Sequence, residues 1–118
     1  MTRKKRNNPL PTVDEFLGYR PVRIEFPWRT GDDGRVSITV PKFTSKTGAR
    51  FVKMMHKENT FDANLDALGS FVWVMMNGQM TVQELLEKVK EKFPGEQNID
   101  QRLFLFLQQM QVLHYLTY

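Results

Sequence analysis

Between residues 22 and 40 the chain alternates apolar with polar side chains, and beyond residue 66 it abandons that period for helical spacing. Val22, Ile24, Phe26 and Trp28 are separated by Arg23, Glu25 and Pro27. A period of two puts successive side chains on opposite faces of a half-buried strand. Val36, Ile38 and Val40 repeat the pattern around Ser37 and Thr39. The intervening Thr30-Gly31-Asp32-Asp33-Gly34 supplies residues that tolerate positive φ, so the two runs are expected to pair as an antiparallel hairpin. Pro27 marks an edge or a bulge in the first strand, and Pro41 stops the second. Over 44–58, Phe51, Val52 and Met55 fall on one side of a short helix, against which Gly48 weighs. A third short strand is read over 60–65, where Phe61, Ala63 and Leu65 alternate with Asp62 and Asn64.

The rest reads as helix. Asp66 is placed to cap a helix over 67–76. Leu68, Phe71, Val72 and Met75 form its core stripe, and Trp73, Val74 and Met76 make it apolar on most sides, so it should be largely covered. Asn77-Gly78 ends it. Thr81 and Glu84 form a capping box, with Met80 and Leu85 as the hydrophobic staple. The helix they open keeps Val82, Leu85, Leu86, Val89 and Phe93 in register until Pro94-Gly95. Asn98 is expected to cap a last helix over 99–114, with Ile99, Leu103, Phe106, Leu107, Met110 and Leu113 as its core stripe. Phe104 and Tyr115 lie on one flank; Leu105, Val112 and Leu116 lie on the other, with Gln109 between them. Either the sheet and the first helix bury both flanks, or one is left as a groove for a partner. Residues 1 to about 19 show little periodicity and read as mostly irregular.

Composition narrows the class. A chain of 118 residues is one domain, able to bury roughly two thirds of its unfolded surface. Cysteine is absent, which excludes disulfides and thiolate metal sites. Hydrophobic residues at 41% and charged residues at 25% fit a globular protein. No apolar run approaches the roughly 20 residues that cross a bilayer, and no apolar segment follows the basic N-terminus as in a signal peptide. A cytoplasmic location is expected. The net charge of +4 is local: Arg3, Lys4, Lys5 and Arg6 are four of the 17 basic residues, which leaves 13 facing 13 acidic ones. That cluster reads as a solvated arm, or as one that meets phosphates. Lys42, Lys46, Arg50, Lys53 and Lys57 form a second basic stretch with no acidic residue among them.

Catalytic chemistry is sparse. His56 and His114 have no carboxylate or thiol at ligand spacing, and no Gly-rich phosphate loop, G-x-S-x-G elbow or H-E-x-x-H is present. Asp32 and Asp33 belong to the turn, and the cap accounts for Asp66. The expectation is a protein that is not an enzyme.

The run Asn64-Leu65-Asp66-Ala67-Leu68-Gly69-Ser70-Phe71-Val72-Trp73, then Asn77-Gly78, then Thr81-Val82-Gln83-Glu84-Leu85-Leu86, resembles the PqqD-like family. These are small winged-helix domains related to the pyrroloquinoline-quinone biosynthesis chaperone and to the recognition elements of ribosomal peptide maturases. The resemblance covers roughly residues 60–116. It departs from the family in the basic insertion over 42–58 and in an end, Leu113-His114-Tyr115-Leu116, without the glycine that often closes the last helix. It implies an α+β, winged-helix-like fold: a three-stranded antiparallel sheet on a three-helix bundle, with an extra short helix between the second and third strands. The division expected is a mostly disordered basic arm over 1–19 and the domain over 20–118.

The resemblance also implies a binding module, and no cofactor or metal is expected. In the family a precursor-peptide leader adds as a strand to the edge of the third strand, beside the last helix, and is presented to a modifying enzyme, often a radical S-adenosylmethionine enzyme. Carried over, the strand is Phe61-Asp62-Ala63-Asn64, acting by backbone, and the helix face is Arg102, Leu105, Gln109 and Val112. The open edge can equally be closed by a second copy, so monomer and weak homodimer both stand. The alternative is a winged helix that binds DNA with its last helix and basic arm. Against it, Leu103 to Leu107 is an unbroken apolar run and Arg102 is the only basic residue between Ile99 and Val112, where a recognition helix needs polar side chains for base edges.

Overall fold

In the computed structural model, which describes residues 10–41 and 60–118, the hairpin forms from β2 (Trp28–Thr30) and β3 (Val36–Pro41). Trp28 lies opposite Ile38 and Thr30 opposite Val36. Gly34, at φ 82°, makes the turn, and Asp33 Oδ1 accepts the Arg35 amide at 3.0 Å. β4 (Thr60–Asn64) pairs antiparallel with the other side of β3, Thr39 opposite Asp62 and Val40 opposite Phe61. The sheet order is therefore β2-β3-β4, with β4 at an edge. Val36, Ile38 and Val40 are buried, whereas Ser37 and Thr39 share the outer face with Asp62 and Asn64. The α+β architecture with a three-stranded antiparallel sheet is the expected one. The helix read over 44–58 lies outside the described residues.

The single strand expected over 22–29 is instead two. β1 (Val22–Arg23) leaves the hairpin and pairs with β5 (Leu116–Thr117), Arg23 opposite Leu116. The reason is the bend between them. Phe26 donates its amide to the Ile24 carbonyl at 2.8 Å, a γ-turn, and Pro27 has no amide to continue a ladder. The parity changes across the break: in β1 Arg23 is the more buried residue and Val22 is exposed, whereas in β2 Trp28 is the half-buried one.

Residues 10–19 also differ from the irregular reading. A helix, α1 (Val13–Leu17), is opened by a second capping box: Glu15 N donates to Thr12 Oγ1 at 3.1 Å and Thr12 N to Glu15 Oε1 at 2.8 Å. Phe16 holds it down through edge-on contacts with Phe104 and Tyr118 at 5.4 and 5.7 Å.

Three longer helices follow: α2 (Ala67–Met75), α3 (Val82–Lys92) and α4 (Ile99–Val112). Asp66 caps α2, accepting the Gly69 amide at 2.8 Å, and the Thr81–Glu84 box opens α3. Asn98 does not cap α4 as expected. Its backbone is left-handed, φ 56°, and its side chain makes no cap bond. The last helix also closes earlier than residue 114. His114 adopts φ 63° and donates to Gln111 O at 2.9 Å, while Tyr115 donates to Met110 O at 2.8 Å. That pair of bonds is a Schellman motif, with histidine where glycine is usual.

This closure re-sorts the expected stripe. Leu113 is 51% exposed, whereas Tyr115 and Leu116 are buried beneath the turn. In α2, Val72, Trp73 and Met76 are fully buried, while Phe71 and Met75 are half-buried and Val74 is 48% exposed. So α2 is covered on most sides, as expected, with Ala67 and Val74 its exposed positions. Its inner face joins Leu85, Val89, Leu103, Leu107 and Ile38 in one core. Ser70 ties that face to the sheet by accepting the buried Val36 amide at 2.7 Å. Arg23 closes the other end of α2, donating to the carbonyls of Trp73, Val74 and Met76 at 3.2–3.4 Å.

Candidate functional site

Leu65 donates its amide to Val36 across β3 at 2.9 Å. Successive residues of an antiparallel strand point their backbone groups to alternate sides, so Asp62 and Asn64 turn theirs to the free edge of β4. Among the described residues no strand pairs with that edge. The Asp62 and Asn64 side chains are engaged on the outer face and stay clear of it. Arg29 meets Asp62 Oδ2 at 3.0 Å, and Ser37 Oγ donates to Asn64 Oδ1 at 2.6 Å. Phe61 and Ala63 point to the inner side, Phe61 with 44% of its surface exposed.

Where the chain leaves β4 it meets α4. A cavity of about 180 Å³ opens there, lined by Asp66, Leu68, Arg102, Leu105, Phe106 and Gln109. Leu68 and Phe106 give it an apolar floor, and Leu105, 55% exposed, forms its lip. Arg102 stands at one end between two carboxylates, bonded to Glu96 and 3.8 Å from Asp66. A second, shallower hollow of about 530 Å³ continues along α4 past Gln109 to Val112 and Leu113. Val112 is 76% exposed, so an apolar strip runs along the solvent side of this helix.

Of the helix residues named from the sequence, Arg102, Leu105 and Gln109 share the cavity, and Val112 lies in the adjoining hollow. Phe61–Asn64 line neither; they form the strand edge that leads into the cavity through Leu65 and Asp66. Sequence reasoning assigned Leu68, Phe106 and Leu113 to the core and so missed them as groove residues. The signal for Phe106 was Gly69. A Cβ there would lie 2.7 Å from Phe106 Cε1, so glycine lets α4 approach α2 closely enough for the ring to form the cavity floor.

The same geometry explains the motif. Leu65 and Leu68 are buried, Asp66 caps, and Gly69 admits Phe106. Gly78, at φ 84°, donates to Pro21 O at 3.1 Å, and three residues later Thr81 starts the next capping box. Within that box the Thr81 amide holds the Glu84 carboxyl below its usual range. Among the described residues no three His, Asp or Glu side chains converge as a metal site, and no helix is long and apolar enough to cross a membrane. His114 serves as the helix-closing residue, and His56 lies outside the described residues. The site offers backbone pairing along β4 and apolar contact along α4.

No curated protein and no solved structure matched the chain. A family model described as "Coenzyme PQQ synthesis protein D (PqqD)" matches residues 47–116, more than half of its length, and the chain belongs to that family.

Proposed function

We propose that this chain is a non-catalytic peptide-binding module that takes up the leader of a precursor peptide as a strand along β4 and presents it to a radical S-adenosylmethionine enzyme. The observation that carries the reading is the junction of an open strand edge with an apolar cavity on α4. Asp62 and Asn64 each present an N–H and a C=O to the edge, so about four main-chain hydrogen bonds form, each worth roughly 1 kcal/mol net. Three apolar side chains seated along Leu105, Val112 and Leu113 add about 2 kcal/mol each. Association and ordering of a flexible peptide subtract at least about 4 kcal/mol. The remaining ~6 kcal/mol corresponds to a dissociation constant of tens of micromolar. The basic stretch from Lys42 to Lys57 favours an acidic leader, with affinity falling as salt rises. DNA binding through α4 is disfavoured by the leucines and valine on its exposed face.

The test begins with genetic context: a short precursor peptide and a radical enzyme encoded beside this chain. Titration calorimetry with that leader should then show Asp62→Ala near wild type. Leu105→Asp should weaken binding by more than about tenfold, because it places an unpaired charge in the groove. Asn64→Pro should do the same by removing an edge amide. Equal affinities for all variants would contradict the reading.

A further inference from the structure

If the peptide occupies the β4 edge and α4, an enzyme that receives it needs another surface on the same module. At the turn end of the hairpin a hollow of about 450 Å³ lies between the β2–β3 turn, the start of β3, the Ala67, Ser70, Phe71 and Val74 side of α2 and the end of α3. Its floor is apolar: Phe71, Val74 and Met75 from α2, and Phe93 from the end of α3. Phe71 and Phe93 meet edge to face at 5.9 Å, and Val74 is 48% exposed. This hollow shares no lining residue with the cavity on α4.

Its rim is charged, mostly with one sign. Arg35 stands on the turn side and Lys92 on the α3 side. Neither makes an ion pair among the described residues, and Lys92 Nζ lies over the Phe71 ring, 5.9 Å from its centroid. The acidic side chain in the lining is Asp33, whose carboxylate is already accepting the Arg35 amide. An apolar floor between two unpaired cations is complementary to an apolar side chain flanked by carboxylates. We propose that this hollow is the docking surface for an acidic, apolar segment of the modifying enzyme. The inference rests on the module's presenting role, and it adds where and by what chemistry the enzyme is held. The hollow includes neither the β4 edge residues nor the lining of the α4 cavity, so peptide and enzyme bind at once.

The test uses the isotope-labelled full chain and two capped tetrapeptide probes, glutamate-leucine-phenylalanine-glutamate and its lysine-flanked counterpart. The acidic probe should shift the amides of Arg35, Phe71, Val74 and Lys92. Arg35→Glu with Lys92→Glu should weaken it by about tenfold and reverse the preference between the probes. Both positions are exposed, so the fold should persist, and leader affinity in the double variant should be unchanged. That last measurement separates the two ideas, because leader binding can fail while the probe still maps to the hollow. The inference is overturned by no shifts up to about 5 mM probe, by shifts confined to 60–65 and 102–112, by equal affinity in the double variant, or by self-association through this face.

Discussion

Replacing Gly69 with alanine should disturb both stability and the groove, through one ring. The new Cβ would sit 2.7 Å from Phe106 Cε1, 3.3 Å from Cδ1 and 3.1 Å from the Asp66 carboxylate that caps α2. Ordinary contact begins near 3.4 Å, so the ring must retreat by several tenths of an ångström. Overpacking of this kind costs about 1–3 kcal/mol. Against it, alanine is better than glycine inside a helix by roughly 0.5–1 kcal/mol. The net expectation is destabilisation by about 1 kcal/mol, a drop of about 4 °C in Tm, read in urea melts followed by tryptophan fluorescence. Because Phe106 floors the cavity, its displacement should also weaken the leader about tenfold, most of one apolar side chain's ~2 kcal/mol. Adding Phe106→Leu should relieve the clash, so the double variant should show a coupling of about 1 kcal/mol. A Gly69→Ala chain that is more stable than wild type and binds the leader equally would refute the close approach of α4 to α2.

Thr81→Ala removes the hydroxyl that accepts the Glu84 amide at 3.1 Å and should cost about 1 kcal/mol in the same melts. Alkaline pH should loosen the C-terminal end. Burial, with Tyr19 nearby, pushes the Tyr118 hydroxyl up to about 12 from its ordinary 10.0, and burial raises Tyr115 as well. The neutral forms are favoured in the folded state, so stability is complete below pH ~10 and is lost as pH rises toward ~12. Thermal melts across that window should fall, and less so for Tyr118→Phe; a flat profile would contradict the burial of the ring.

Much of the fold was legible because its signals are local. Alternation placed β3 and β4, and the Asp66 cap and the Thr81–Glu84 box placed the starts of α2 and α3. What escaped depends on tertiary context or on a single backbone conformation. Thr12–Glu15 carries the same box as Thr81–Glu84, but a five-residue helix holds only because Phe16 docks on Phe104 and Tyr118, residues about a hundred positions away. His114 closes α4 by adopting positive φ, and helical spacing beyond it then misplaces Leu113, Tyr115 and Leu116. Asn98 has the composition of a cap and the conformation of a bend. For the site, the family resemblance pointed to the strand and to one flank of the last helix, because an open edge is a property of strand order that no single segment encodes. The cavity floor stayed hidden, since Leu68 and Phe106 at helical spacing read as core until the contact at Gly69 is seen.

The central claim, peptide capture by strand addition, is tested most directly by titrating the precursor leader into isotope-labelled chain and mapping amide shifts. The account predicts the largest shifts over 60–65 and 102–112, with the Asp62 and Asn64 amides moving downfield and becoming protected from exchange as they gain partners. Unprotected Asp62 and Asn64 amides at saturating leader, with shifts confined to α2 or to the N-terminal arm, would contradict it.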